Sequence, residues 1–386
     1  MRIGISLLHV LPGGIFGSET YIRNLLPGLA SVDSSSEYFL FTNPDNHETF
    51  QVADERFHRV LCPIEARPQL RRVAFEQFIL PHLASRYRLD VLHSPSYAVP
   101  LATRCARVVS ILDMLYRVYP RIIPQPKRLY WQISVPLSAR RSHVVLTISE
   151  NSRQDIMKYL GTAADKIVVS HLAVDDRLAK ARLAQEGHQA PGKLARKPLP
   201  AEPYVFTLIN SIKGHKNLLG LITAFRICHA KLPGFKLVVG GGAGIEAETR
   251  RIVECHGLTE AVLLTDYLSL EEMAWLYAHA SAYIIPSLFE GFGLPALEAM
   301  SFGVPVTCSH AGSLPEVVSD AGLFFDPKDS AEMANCLGRI LTDDALRADL
   351  IQKGRRRVSE FSWQETARKT LSAYELALDR KNLGVR

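Results

Sequence analysis

Pro286-Ser287-Leu288-Phe289-Glu290-Gly291-Phe292-Gly293-Leu294-Pro295-Ala296-Leu297-Glu298-Ala299-Met300 is the stretch whose reading decides the fold. It follows an apolar run at 282–286, which has the length of a buried strand. A helix opens at Pro295, because the fixed φ of proline suits a first turn and its missing N–H costs nothing there. Strand, glycine-bearing loop and helix in that order are the repeating unit of a parallel, doubly wound α/β sheet. Glu290 falls in the loop and Glu298 on the first helical turn, so both carboxylates can face a ligand lying over the helix start. Carboxylates accept hydrogen bonds from sugar hydroxyls, while the N–H groups of Phe292, Gly293 and Leu294 can meet a diphosphate beside the positive end of the helix.

The same alternation extends in both directions. Strand-like runs at 204–209, 236–240, 262–265 and 304–307 complete one sheet around this segment. Runs at 2–10, 38–42, 58–62, 91–93, 107–112 and 144–149 predict a second sheet in the first half. Between them, residues 175–203 are rich in Ala, Lys, Arg, Gln and Pro and read as a linker, which puts a boundary near residue 190 and domains at 1–190 and 191–386. Ala367, Leu371, Tyr374 and Leu378 recur at helical spacing, so a last helix at about 363–380 covers a domain face. Parallel sheets bind ligands at the carboxyl ends of their strands, and two such sheets facing each other predict a polar cleft.

Composition bounds the chemistry. The chain has 386 residues, 47% apolar and 22% charged, which suits folded domains and excludes wholesale disorder. No uncharged apolar run reaches the roughly 18 residues of a membrane-spanning helix. The run at 3–10 after Met1-Arg2 is too short for a secretory leader, so export is not expected. Cys62, Cys105, Cys228, Cys255, Cys308 and Cys336 form no C-x-x-C pair, which predicts reduced thiols in the cytoplasm. The net charge of +6 resides wholly in residues 1–190, with 23 Lys+Arg against 17 Asp+Glu, whereas 191–386 is balanced at 22 against 22. An anionic partner for the first half follows, with phosphorylated substrate, membrane surface and nucleic acid all open.

Two further loops carry candidate chemistry. Residues 9–19, with Gly13, Gly14, Gly17, Ser18 and Glu19, lead into a helix that Pro27 is expected to kink or shorten. Glycines let the backbone approach an anion and Ser18 can cap the helix. Asp45 beyond the second strand imitates the ribose acid of dinucleotide enzymes, which keeps a nicotinamide-dependent oxidoreductase open. The third loop, Asn210-Ser211-Ile212-Lys213-Gly214-His215-Lys216-Asn217, sets lysines directly after a strand, where one can neutralise a departing diphosphate.

Together these strings resemble glycosyltransferase family 4 over nearly the full length. The most specific piece is the E-x7-E string Glu290 to Glu298, continued by Gly303-Val304-Pro305-Val306 and Gly312-Ser313-Leu314-Pro315-Glu316. His93-Ser94-Pro95, Asp113-Met114-Leu115-Tyr116, Thr147-Ile148-Ser149-Glu150-Asn151-Ser152 and Lys216-Asn217 also match. The resemblance implies the GT-B architecture, two Rossmann-like domains facing across a cleft, with a last helix packing across domains. It implies a retaining hexosyltransferase that uses a nucleoside diphosphate sugar and no metal or other cofactor. By the same resemblance Glu290 holds donor-sugar hydroxyls, Glu298 the ribose and Lys216 the diphosphate. Phe292, Gly293 and Leu294 give backbone contacts, Tyr267 with 264–266 borders the base, and Gly13, Gly14 and Gly17 close over the phosphates. A glycan or lipid-linked saccharide acceptor would meet Ser18, Glu19, His93, Tyr97 and Asp113.

The chain departs from the family at Leu112, where relatives carry His, at Asn210 and His215, where they carry Gly and Arg, and at Asp266, which replaces Gly. Lys213 is the expected substitute for the lost Arg. These departures leave open a sugar-nucleotide-binding protein of reduced activity. Nucleic acid is not an expected partner, because Arg71-Arg72, Arg86, Arg88 and Arg140-Arg141 lack interleaved aromatics. The same arginines suit a peripheral contact with an anionic membrane surface.

Overall fold

The structure is a computed structural model that describes residues 1–12, 17–183, 190–196, 203–209, 214–241 and 246–385. It divides into two compact units, Met1–Leu172 with Ser362–Arg386 and Ala173–Phe361. The units part at residue 172, upstream of the boundary near 190 that composition suggested, and the last helix belongs by its contacts to the first unit.

The first unit holds a seven-stranded sheet in the order β3-β2-β1-β4-β5-β6-β7. Its strands are β1 (Arg2–Ser6), β2 (Glu37–Thr42), β3 (Phe57–Leu61), β4 (Val91–Ser94), β5 (Ala106–Ser110), β6 (Val144–Thr147) and β7 (Ile167–Val169). The second unit holds six, in the order β10-β9-β8-β11-β12-β13. These are β8 (Tyr204–Ile209), β9 (Lys236–Gly241), β10 (Val262–Leu264), β11 (Ala282–Ile285), β12 (Val306–Ser309) and β13 (Gly322–Phe325). Every ladder is parallel. Helices cover both faces of such a sheet, which is why a central strand such as β11 reads as an unbroken apolar run. In each sheet the winding reverses beside the first strand, at β1/β4 and at β8/β11, and ligands of this fold class bind outside the strand ends at that reversal.

Several elements differ from the sequence reading. The run at 2–10 leaves the sheet after Ser6, because Val10 N–H turns back to the Leu7 carbonyl at 3.1 Å. The run at 304–307 starts two residues late: Gly303 turns at φ 73° and Pro305 precedes the ladder of β12. The edge strands β7 and β13, of three and four residues, are too short to show a pattern in the sequence. The helix Gly17–Val32 continues through Pro27 instead of ending there.

The last helix, Trp363–Asn382, starts at Ser362, whose hydroxyl accepts from Glu365 N–H. Its buried stripe is Trp363, Thr366, Ala367, Thr370, Ala373, Tyr374 and Ala377, laid against the helix Gly17–Val32 and strands β4 to β7. The contact is close because Gly28 has no side chain: a Cβ there would stand 2.8 Å from the Trp363 carbonyl oxygen. The second unit packs Leu221, Phe225, Ile284, Met333 and Leu337 into one core beneath its sheet. Among the described residues no helix is long and apolar enough to cross a membrane.

Candidate functional site

At the reversal between β8 and β11 the structure brings together residues 74 positions apart. Lys216 Nζ donates to Glu290 Oε1 at 2.7 Å, and Ser287 Oγ donates to the same oxygen at 2.6 Å. Lys216 comes from a short turn after β8 and Glu290 from the loop after β11, so the topology itself creates the pair. Asn217 fixes the first loop: it adopts φ 53° and its amide donates to the carbonyls of Pro286 at 3.0 Å and Pro327 at 2.7 Å. Leu288 N–H reaches the His215 carbonyl at 2.7 Å, which ties the two loops together.

Glu290 is also held from behind. Ser313 donates to its carbonyl oxygen through Oγ at 3.1 Å and through N at 3.2 Å. Gly312 lies at φ 60°, and a Cβ on it would fall 2.4 Å from that oxygen. The Gly312-Ser313 pair is therefore the backrest of the Glu290 loop. Gly293, at φ 94°, turns the chain into the helix Leu294–Ser301, with Pro295 in its first turn. The Phe292 ring is buried and meets Phe361 edge-on at 5.9 Å, so its side chain anchors the loop.

Glu298 is the fifth residue of that helix, one residue deeper than the sequence reading placed it. It is 6% exposed, and its Oε2 accepts from the Tyr277 hydroxyl at 2.9 Å. The carboxyl thus turns toward a cluster of Tyr277, Tyr283 and Phe206 whose rings lie 5.1 to 5.6 Å apart. Burial pushes its pKa up to about 7; the Tyr277 hydrogen bond opposes the rise and the Asp175 charge adds to it. A raised folded value means that the folded chain keeps this proton longer than the unfolded chain does. Stability therefore falls as pH rises from the ordinary 4.5 to about 7. Glu298→Gln is expected to flatten urea-stability profiles over that window by on the order of 2 kcal/mol. Unchanged slopes would show that the carboxyl titrates ordinarily.

The remaining second-unit candidates fall on either side of this core. Tyr267 is 39% exposed at the end of the loop after β10, and Asp266 beside it is exposed. Leu294 is buried at the helix start. Lys213 and Asn210 lie outside the described residues, as do Gly13 and Gly14 and the Ser18 side chain in the first unit.

In the first unit Gly17 begins its helix in open space. Glu19 is buried and its Oε1 accepts from Arg23 Nε at 2.7 Å. Asp113 and Tyr97 do come together: a hydrogen bond joins them, and burial followed by the Asp113 charge drives the phenol well above its usual range. Asp113 Oδ1 also accepts from Leu115 N–H at 3.0 Å, and Tyr97 stacks on Trp131 at 5.5 Å.

His93 departs from the expectation of an acceptor-facing group. It is fully buried, with Nδ1 2.8 Å from Tyr374 Oη and Nε2 2.7 Å from Ser110 Oγ. Burial lowers its pKa to about 3, so the ring stays neutral and joins β4, β5 and the last helix. Sequence reading missed Tyr277, Ser287 and Ser313 in the second unit and Tyr374 in the first. Only Ser287 and Ser313 carried a signal, since they lie within the family-like segments 286–300 and 312–316.

Comparison with known proteins agrees with this frame. The family described as "Glycosyltransferase Family 4" matches residues 15–178, and "Glycosyl transferases group 1" matches 193–357. The O-antigen chain mannosyltransferase B of Escherichia coli is 30% identical over 292 residues, 75% of each chain. The MMP alpha-(1->4)-mannosyltransferase of Mycolicibacterium hassiacum is 32% identical over 246 residues, 63% of this chain and 56% of that protein. Anabaena HepE, solved in complex with UDP and glucose, superposes with a TM-score of 0.72 at 19% identity, covering 96% of this chain and 98% of its own. At that identity the superposition speaks for the architecture, which is GT-B. The two doubly wound sheets, the two adjoining family matches and the E. coli relative together show that the chain belongs to glycosyltransferase family 4.

Proposed function

We propose that this glycosyltransferase moves a hexosyl unit, mannosyl foremost, from a nucleoside diphosphate sugar to a hydroxyl of a glycan acceptor, with retention of anomeric configuration. The observation that carries the proposal is the Lys216–Glu290 pair at the β8/β11 reversal. As the bond from the sugar C1 to the diphosphate oxygen breaks, negative charge grows on the leaving group. The Lys216 ammonium and the N–H groups of Phe292, Gly293 and Leu294 at a helix start are suited to receive it. Glu290, steadied by Ser287 and the Gly312-Ser313 backrest, accepts hydrogen bonds from donor hydroxyls. Glu298 accepts from the ribose beside Tyr277.

The acceptor oxygen bonds to C1 on the face that the diphosphate leaves, and its proton passes to the departing phosphate oxygen. No protein nucleophile takes part. The names of the E. coli and M. hassiacum relatives favour mannose, and the UDP complex of HepE supports a nucleotide carrier. A lipid-linked acceptor accords with the segment 66–142, which has 13 Lys+Arg against 3 Asp+Glu and exposes Leu70, Phe78, Leu129 and Ile133.

Purified chain, offered nucleoside diphosphate hexoses and mannose-terminated acceptors free or on anionic vesicles, is expected to give products whose new linkage keeps the α configuration by NMR. An inverted linkage sinks the retaining mechanism. Absence of transfer and of donor hydrolysis with every donor sinks the enzyme.

A further inference from the structure

Among the described residues, several buried polar atoms without a hydrogen-bond partner belong to the carboxyl end of β1 and to the helix that follows β3. Ser6 Oγ ends β1, both ring nitrogens of His9 follow it, and Arg72 Nε and Glu76 Oε1 come from the helix Gln69–Phe78 beyond β3. Folded proteins satisfy nearly all such groups, because each one left unmet costs about 1 to 3 kcal/mol. At the edge where parallel sheets receive ligands, such groups can hydrogen-bond a polar ligand.

Arg72 and Glu76 stand 3.4 Å apart, close enough to attract but not aligned to hydrogen-bond, so each keeps unused capacity. Glu76 is only 6% exposed. Arg72 spends Nη1 on the Ala66 carbonyl at 3.3 Å, which aims the rest of the guanidinium. His9 lies near enough to Arg72 for the guanidinium charge, after burial, to hold its imidazole neutral.

We propose that His9, Arg72 and Glu76 form a binding site for the hydroxyl groups of a neutral saccharide. The mixture of groups selects the ligand class. Arg72 offers a donor, Glu76 an acceptor, and neutral imidazole one of each, which matches a vicinal diol whose hydroxyls both donate and accept. A phosphate or carboxylate needs donors throughout and an uncompensated cation, but here the cation already has its carboxyl and burial keeps His9 uncharged. The inference rests on the glycan-acceptor reading above and deepens it, naming the part of the acceptor that this chain grips. Burial pushes the Glu76 carboxyl up to about 7 while the Arg72 charge opposes the rise, so removing Glu76 alone strands a buried cation and removing both leaves no charge.

Saturation-transfer NMR on the full chain, with methyl α-mannopyranoside, α-mannobiose and mannose 1-phosphate as probes and no donor present, tests this directly. The expected result is transfer to the two neutral sugars, at least tenfold weaker affinity in the double variant Arg72→Met/Glu76→Leu, and little binding of the phosphate. The double variant should keep cooperative thermal unfolding; if it does not fold, His9→Leu takes its place with the same expected loss. No transfer to the neutral probes, undiminished binding in the variant, or preference for mannose 1-phosphate overturns the site. Glycosyl transfer is assayed separately. A chain that binds these sugars but transfers nothing overturns the enzymatic reading alone, and an active chain indifferent to the variant overturns this site alone.

Discussion

Lys216→Met is expected to lower kcat/KM by about 10²- to 10³-fold, the magnitude seen when one charge-stabilising donor is removed from a preorganised site. Two losses combine. The leaving diphosphate loses a cation where its charge develops, and Glu290 loses the 2.7 Å partner that orients it. Met keeps the length and most of the volume of the side chain, so the packing around His215 and Leu288 should survive. Lys216→Arg should recover only part of the activity, because a planar fork cannot stand where a compact ammonium meets both Glu290 and a phosphate. Steady-state kinetics beside thermal unfolding separate the cases. A full loss of activity with unchanged melting supports the role, and wild-type kcat/KM in the Met variant removes Lys216 from the chemistry.

Gly312→Ala should be nearly as damaging, although Gly312 has no side chain of its own to offer a ligand. A single methyl would have to fit 2.4 Å from the Glu290 carbonyl oxygen and 2.9 Å from its nitrogen, both backbone atoms that cannot rotate away. The residue also holds φ 60°, which a side chain adopts at a cost of roughly 1 to 2 kcal/mol. Together the strain and the clash should destabilise the second unit by about 2 to 4 kcal/mol. They should also displace Glu290 enough to lower kcat on the order of 100-fold. Gly338→Ala is the control: it lies inside the helix Ser330–Thr342 with nothing within 4 Å of a new Cβ. That change should be neutral or stabilise by up to about 1 kcal/mol. Equal melting temperatures for the two variants would show that the loop tolerates the methyl.

The Lys216–Glu290 pairing was legible because both residues lie in loops that follow neighbouring strands, and strand order alone brings such loops to one place. The central strands were legible for a related reason: burial on both faces leaves unbroken apolar runs. Tyr277 was not, since it belongs to the helix Leu270–His279, where an aromatic residue at helical spacing reads as ordinary core. Its hydroxyl acquires meaning only from Glu298, 21 positions later. His93 shows the opposite error. A histidine at a strand end looks available in sequence, but the partner that closes over it, Tyr374, is 281 residues away. The Arg72–Glu76 pair has the i, i+4 spacing of a common solvent-exposed helix pair, and only its burial sets it apart. Edge strands β7 and β13 are set by pairing with neighbours, which leaves little imprint on three or four residues.

The first unit is discontinuous in the chain: residues 362–386 complete it after all of 173–361 has intervened. During synthesis the ribosome therefore finishes the entire second unit before it delivers the segment that seats Trp363 over Gly28 and Tyr374 against His93. The N-terminal sheet must wait with that flank uncovered. The order of emergence is thus opposite to the order of completion, and the vulnerable interval for chaperones or proteases falls on the half of the protein that was translated first.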